Sequence, residues 1–171
     1  MPTAPCAQGY YCNGRAENNS QHLCTQGHKC PLGSPNPIPC DAGFYQDVEG
    51  QSTCKLCPSG HYCNNTSGPV ITFELCVEGH YCPNGTRYAV EFKCPPGTFN
   101  NRTGMKERAD CLPCTGRYVC DEWGLVRPNR LCGAGYFCRE GANSTTPNLG
   151  DKANICPEGH YCPEGMKLWF H

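Results

Sequence analysis

Cys76-Val77-Glu78-Gly79-His80-Tyr81-Cys82 decides the fold, because six near-copies stand elsewhere in the chain. They are CAQGYYC (6–12), CTQGHKC (24–30), CPSGHYC (57–63), CTGRYVC (114–120), CGAGYFC (132–138) and CPEGHYC (156–162). Two longer segments open the same way and close later: CDAGFY from Cys40, closing at Cys54, and CPPGTF from Cys94, closing at Cys111. Nine modules of two cysteines use all 18 cysteines. A fixed-period signal settles architecture before any local reading.

Each repeated residue has a physical reason. Gly stands three residues after the first cysteine in eight modules (Gly9, Gly27, Gly43, Gly60, Gly79, Gly97, Gly135, Gly159), as a tight turn with positive φ requires. Gly116 comes one residue early, so its turn is expected to differ. An aromatic follows two residues after the glycine: Tyr11, Tyr45, Tyr62, Tyr81, Phe99, Phe137 and Tyr161, with Tyr118 as the shifted equivalent and Lys29 as the exception. Pro or an apolar residue precedes the first cysteine in eight modules: Pro5, Leu23, Pro39, Leu56, Leu75, Pro113, Leu131 and Ile155, with Lys93 deviating. Each module reads as a small hairpin whose disulfide, ring and preceding apolar residue form a miniature core. Such cores must lean on their neighbours. Further β patches are expected at 70–73 and 88–92, and no amphipathic helix of ten residues is evident. The expected class is a small disulfide-rich fold: a tandem array of short β-hairpin modules forming an extended rod with little helix. Three blocks of three modules are expected: 1–56, 57–113, and 114–171 with a divergent tail from Met166 to His171.

Composition agrees. Leu, Ile, Val and Phe make up only 24 of 171 residues, against 18 Cys, 20 Gly and 16 Pro. This is a disulfide scaffold rather than a chain built on a large core, which excludes α/β enzyme folds. Lys plus Arg number 14 and Asp plus Glu 15, and the densest basic stretch, Lys106-Glu107-Arg108, is broken by acid. No nucleic-acid surface is expected. So many thiols imply an oxidising compartment, extracellular or at the cell surface. Met1–Pro5 lacks the apolar region of an export signal, and no run of eighteen apolar residues offers a membrane span. The chain therefore reads as a piece of a longer one.

CPPGTFNNRTGMKERADCLPCTGRYVC (94–120) and CDAGFYQDVEGQSTCKLCPSGHYC (40–63) resemble the ephrin-receptor-like cysteine-rich repeat. Both are similar to the opening module of TNF-receptor cysteine-rich domains. CPEGHYC and CVEGHYC, each followed by Pro, resemble repeats loosely called EGF-like in very long secreted or surface proteins. The resemblance covers all but the tail. It implies an extracellular disulfide-rich fold, and such modules serve receptors, matrix proteins and flagellar surface filaments alike.

Sharper chemistry finds little support. C-x2-C occurs at Cys54/Cys57 and Cys111/Cys114, but 53 residues separate the pairs, against about 15–20 in a zinc ribbon. A thioredoxin-like role needs a βαβ setting that is lacking. His28, His61, His80 and His160 share one repeated position and read as exposed turn residues. No catalytic constellation, metal site or cofactor is expected. Trp123 and Trp169 are expected to pack on a disulfide or a neighbouring chain. Sequons at Asn18, Asn64, Asn65, Asn84, Asn101 and Asn143 mark expected N-linked glycans on outward turns. Asn64 and Asn65 are adjacent, so crowding permits one of them.

Two pairing schemes treat equivalent modules alike. Either each module closes internally (6–12, 24–30, 40–54, 57–63, 76–82, 94–111, 114–120, 132–138, 156–162), or each second cysteine bonds the next module's first. The second scheme makes C-x-x-C bridges at 54–57 and 111–114, which mainly serve redox devices, and leaves Cys6 and Cys162 unpaired, so the first is expected; crossed pairs within each block of four short-module cysteines stay open. Closing a seven-residue loop contributes roughly 2–2.5 kcal/mol. The function expected is that of an extracellular structural glycoprotein fragment, part of a filament, coat or stalk. Its partners would be copies of itself or other extracellular structural proteins. The alternative is a ligand-binding receptor ectodomain.

Overall fold

A computed structural model describes residues 5–13, 18–148 and 153–168. The leader question at Met1–Ala4 and the packing expected of Trp169 lie outside the described residues.

The strands are short because the turns come so often. Seven two-stranded antiparallel sheets form among the described residues. Tyr10–Tyr11 pairs with His22–Leu23, His28–Lys29 with Ile38–Pro39, Phe44–Tyr45 with Lys55–Leu56, and His61–Tyr62 with Glu74–Leu75. Thr98–Phe99 pairs with Leu112–Pro113, Tyr118–Val119 with Arg130–Leu131, and Tyr136–Cys138 with Ala153–Ile155. His80 bridges Lys93 in the same sense. The register is constant: the fourth residue after a first cysteine faces the residue just before the next one.

That register corrects the expected miniature core. Each hairpin straddles a module boundary, and the residue before the cysteine is a cross-strand partner of the preceding turn. Leu23, Leu56, Leu75, Leu131 and Ile155 are accordingly exposed, between 39% and 62%. The interior consists mainly of sulfur: Cys24, Cys30, Cys57, Cys76, Cys82, Cys94, Cys114, Cys120, Cys132 and Cys138 are fully buried. The β patches expected at 70–73 and 88–92 do not form. Val70 is buried beside Cys57 and Cys63 instead, and 87–91 is drawn into a turn by the Arg87–Glu91 ion pair. Arg108–Asp110, a single 3-10 turn, is the helical element among the described residues.

The disulfides close within modules: Cys6–Cys12, Cys24–Cys30, Cys40–Cys54, Cys57–Cys63, Cys94–Cys111, Cys114–Cys120, Cys132–Cys138 and Cys156–Cys162. Cys76 and Cys82 are also disulfide-bonded, and no cysteine is free.

The chain divides into two units, Met1–Leu75 with Cys82–Glu91, and Cys76–Tyr81 with Phe92–His171. Each carries the same backbone ladder. In the first, the turn N–H groups of Gly9, Gly27, Gly43 and Gly60 donate to the carbonyls of Cys30, Gln46, Cys63 and Cys82 at 2.7–2.9 Å. In the second, Gly79, Gly97, Arg117 and Gly135 donate to Asn100, Cys120, Cys138 and Cys162 over the same range. The turn carbonyls accept in return, for example Cys24 N–H onto Gly9 and Cys94 N–H onto Gly79, both 2.9 Å. A second glycine series, nine or ten residues after a first cysteine, donates to the preceding module's first cysteine: Gly33, Gly50 and Gly85 in one unit, Gly104, Gly124, Gly141 and Gly165 in the other.

The turn glycines also touch the second module along, beyond the nearest-neighbour contacts expected of such repeats. A Cβ on Gly9 would lie 2.2 Å from the Gly50 carbonyl oxygen, and one on Gly79 would lie 2.2 Å from that of Gly124. Gly79 is therefore required twice, for its φ of +75° and for this approach. Small apolar clusters fill the remaining space: Cys57, Cys63 and Val70 with Tyr45 in the first unit, and Val119, Cys132, Cys138, Ala142 and Ala153 with Tyr136 in the second.

Candidate functional site

The seven-residue loop positions its histidine. Nδ1 of His28, His61, His80 and His160 lies 2.9–3.3 Å from the carbonyl two residues back, on Gln26, Ser59, Glu78 and Glu158. A carbonyl only accepts, so Nδ1 carries the proton. The rings are half-buried turn clips rather than the exposed residues expected. Nε2 of His80 is buried with no hydrogen-bond partner among the described residues. The histidines do not converge: no group of three metal-ligating side chains occurs among the described residues.

The long modules hold residues that cysteine counting missed. Six positions after Cys40 and Cys94, where short modules place their second cysteine, stand Gln46 and Asn100, each 1% exposed. Gln46 Nε2 donates to Thr53 O at 2.8 Å, and its Oε1 accepts from Val48 N–H at 3.2 Å. Asn100 Nδ2 donates to the carbonyls of His80 (3.0 Å) and Arg102 (2.9 Å), and its Oδ1 accepts from Arg102 N–H (2.9 Å). A buried amide thus replaces half a disulfide and pins the inserted loop. Alignment on the turn glycine would have found both.

Carboxylates tie those loops down. Asp110 Oδ2 accepts from Lys106 and Glu107 N–H, at 2.8 and 3.0 Å, and these bonds hold its pKa below the ordinary value. Asp47 pairs with Lys55 Nζ at 2.6 Å, which lowers the Asp47 pKa and raises that of Lys55. The Tyr62 hydroxyl donates to Glu74 across the strand pair, which raises its pKa.

One turn breaks the repeat. Arg117 occupies the glycine position of the Cys114 module with φ +83°, among the described residues the one non-glycine with positive φ. The turn expected to differ keeps its backbone: Arg117 donates to Cys138 O and accepts from Cys132 N–H, each at 2.9 Å. Tyr118 therefore takes the histidine position, not the aromatic one, and buried Val119 takes the ring's place. Arg117 Nε donates to Gly165 O at 2.9 Å. Beside it opens a cleft of about 350 Å³ lined by Arg117, Gly165, Met166, Lys167 and Leu168.

Asn18, Asn65, Asn84, Asn101 and Asn143 are exposed, and Asn64 is half-buried. Asn84 Oδ1 accepts from Ser59 N–H at 2.8 Å. Its sequon hydroxyl, Thr86, is 1% exposed and donates to Pro83 O at 2.6 Å. Trp123 is 62% exposed rather than packed on a disulfide.

These features define a small disulfide-rich protein of hairpin repeats, of a cysteine-rich extracellular type. Residues 33–68 match the family model described as tyrosine-protein kinase ephrin type A/B receptor-like, so this stretch carries the ephrin-receptor-like cysteine-rich repeat. The chain is 30% identical over 147 residues to "Sushi, von Willebrand factor type A, EGF and pentraxin domain-containing protein 1" of Rattus norvegicus, covering 81% of this chain and 4% of that protein. The Mus musculus protein of the same name is 29% identical over the same length, with the same coverage. "Putative white-brown complex homolog protein 30" of Arabidopsis thaliana is 26% identical over 156 residues, 83% of this chain and 12% of that protein. The chain thus spans a small fraction of the relatives it matches. No helix among the described residues is long and apolar enough to cross a membrane.

Proposed function

We propose that this chain is part of an extracellular structural glycoprotein, a disulfide-stapled repeat rod within a filament, coat or stalk. One observation carries the reading: the same backbone bonds recur from turn to turn within each unit, so a single stacking rule serves eight of the nine turns. The rod would be organised as three blocks, 1–56, 57–113 and 114–171. Glycans on the exposed sequons would keep its surface solvated. Copies of this chain or other extracellular structural proteins would supply its contacts. The multi-domain name of the rat relative agrees with a repeat segment inside a longer protein.

Small-angle scattering on the secreted, disulfide-intact chain tests this. A rod gives a radius of gyration on the order of 25 Å or above, whereas about 15–16 Å, the value for a globule of this length, overturns the reading. The alternative, a ligand-binding receptor ectodomain, is favoured by one observation only, the turn at Arg117.

A further inference from the structure

Two segments that depart from the repeat meet each other. In the Cys114 module the glycine has moved to position 116, and Arg117 keeps a backbone conformation that suits glycine. The second departure is the segment that begins at Met166. A Cβ on Gly116 would lie 2.8 Å from Lys167 Cε and 2.9 Å from its Cδ, so the displaced glycine seats the lysine stem. Arg117 Nε reaches the Gly165 carbonyl, which fixes the guanidinium plane. The Nη groups have no hydrogen bond among the described residues. Lys167 Nζ is held only loosely, 3.9 Å from Glu140 Oε1, and remains half exposed. The cleft between these groups has about 350 Å³ and an apolar side formed by Met166 and Leu168.

A non-glycine residue in a conformation that favours glycine points to a role for its side chain. We propose that this cleft binds an organic carboxylate with an apolar body, such as an acidic or chain-terminal group of a partner peptide. The planar guanidinium matches a carboxylate fork, Lys167 adds a second positive charge, and Met166 with Leu168 receives the apolar part. The site stands independently of any rod-forming role, because it lies wholly within the second unit.

The test uses the disulfide-intact chain and N-acetyl-leucine as probe, followed by nitrogen-15 NMR. Saturable shifts are expected at Gly165, Met166, Lys167 and the Arg117 Nε, with a Kd of about 1 mM, while N-acetyl-leucine amide gives none. Arg117→Gly restores the repeat's own residue, so its melting temperature should equal or exceed that of the parent while binding weakens at least tenfold. Lys167→Met, which leaves the turn untouched, should weaken binding severalfold. Equal binding of acid and amide, no saturable shift with the parent chain, or unchanged binding in Arg117→Gly would each overturn the proposal.

Discussion

The short module at Cys57 and the long module at Cys40 share a turn, a strand register and a ladder, and differ in what occupies the sixth position. In one it is Cys63, fully enclosed and bonded to Cys57; in the other it is Gln46, with the disulfide displaced to a half-exposed Cys54. Both residues offer the ladder a backbone carbonyl: Cys63 accepts from Gly43 N–H at 2.8 Å, Gln46 from Gly27 N–H at 2.7 Å. The repeat is therefore a backbone device. A disulfide is one way of filling the space beneath it, and a fully hydrogen-bonded amide is another.

This comparison breaks most sharply under cysteine removal. Loop closure alone ranks the Cys40–Cys54 bridge, with its longer loop, as the more stabilising, at about 3 kcal/mol against roughly 2–2.5. Packing reverses the order. Cys57 and Cys63 are both buried, against Val70 and Tyr45, whereas Cys40 is enclosed but its partner Cys54 is half exposed, so the first pair leaves the larger cavity. Cys57→Ala/Cys63→Ala is expected to cost about 4–5 kcal/mol and Cys40→Ala/Cys54→Ala about 3–4. Denaturant unfolding of both double variants checks this, and the opposite ranking would leave loop entropy as the governing quantity.

Glycine substitutions sharpen the same point on the backbone itself. Gly79→Ala places a methyl group 2.2 Å from a backbone oxygen at positive φ, and is expected to cost about 3 kcal/mol or more. Gly159 has nearly the same φ, +80°, and nothing within 4 Å among the described residues, so its alanine variant should lose only about 1 kcal/mol. Thermal midpoints of the two variants separate strain from collision. Next comes Gln46→Ala, which orphans the Thr53 carbonyl and the Val48 N–H and should cost about 2 kcal/mol. Amide exchange would show that loss confined to 47–53 and the neighbouring turn.

What was legible in the sequence follows from chemical uniqueness. Only cysteine makes a disulfide, and only glycine enters left-handed turns freely, so the modules and the hairpin-repeat class could be read at once. Gln46 and Asn100 could not, because counting cysteines leads past them to Cys54 and Cys111. The second glycine series hides because its offset from the first cysteine varies. Arg117 hides behind Gly116, which imitates a shifted turn while the backbone keeps its register. Leu23 and Leu56 read as core because they are apolar, yet their task is cross-strand pairing at the surface. The cleft at Arg117 is made by the fold alone, since 48 residues separate Arg117 from Gly165.

The smallest expected effect separates the two long modules from each other. Asp110 owes its low pKa to backbone N–H donors, whereas Asp47 owes its low pKa first to the Lys55 ammonium. A carboxylate with a depressed folded pKa contributes stability that is fully present above its unfolded value of about 3.9. That contribution fades as pH falls through the window between the unfolded and folded values, and below the folded value it is gone. Both inserted loops should therefore loosen only in acid, below about pH 4. Salt tells them apart. At about 1 M the screening length shrinks to roughly 3 Å, which weakens an exposed ion pair far more than short bonds from fixed amides. In a carbon-13 NMR titration of the carboxyl groups, Asp47 should move toward its ordinary pKa in 1 M NaCl while Asp110 stays depressed. Equal movement of both would mean that the Cys94 loop, like the Cys40 loop, is held by charge and not by fixed amide donors.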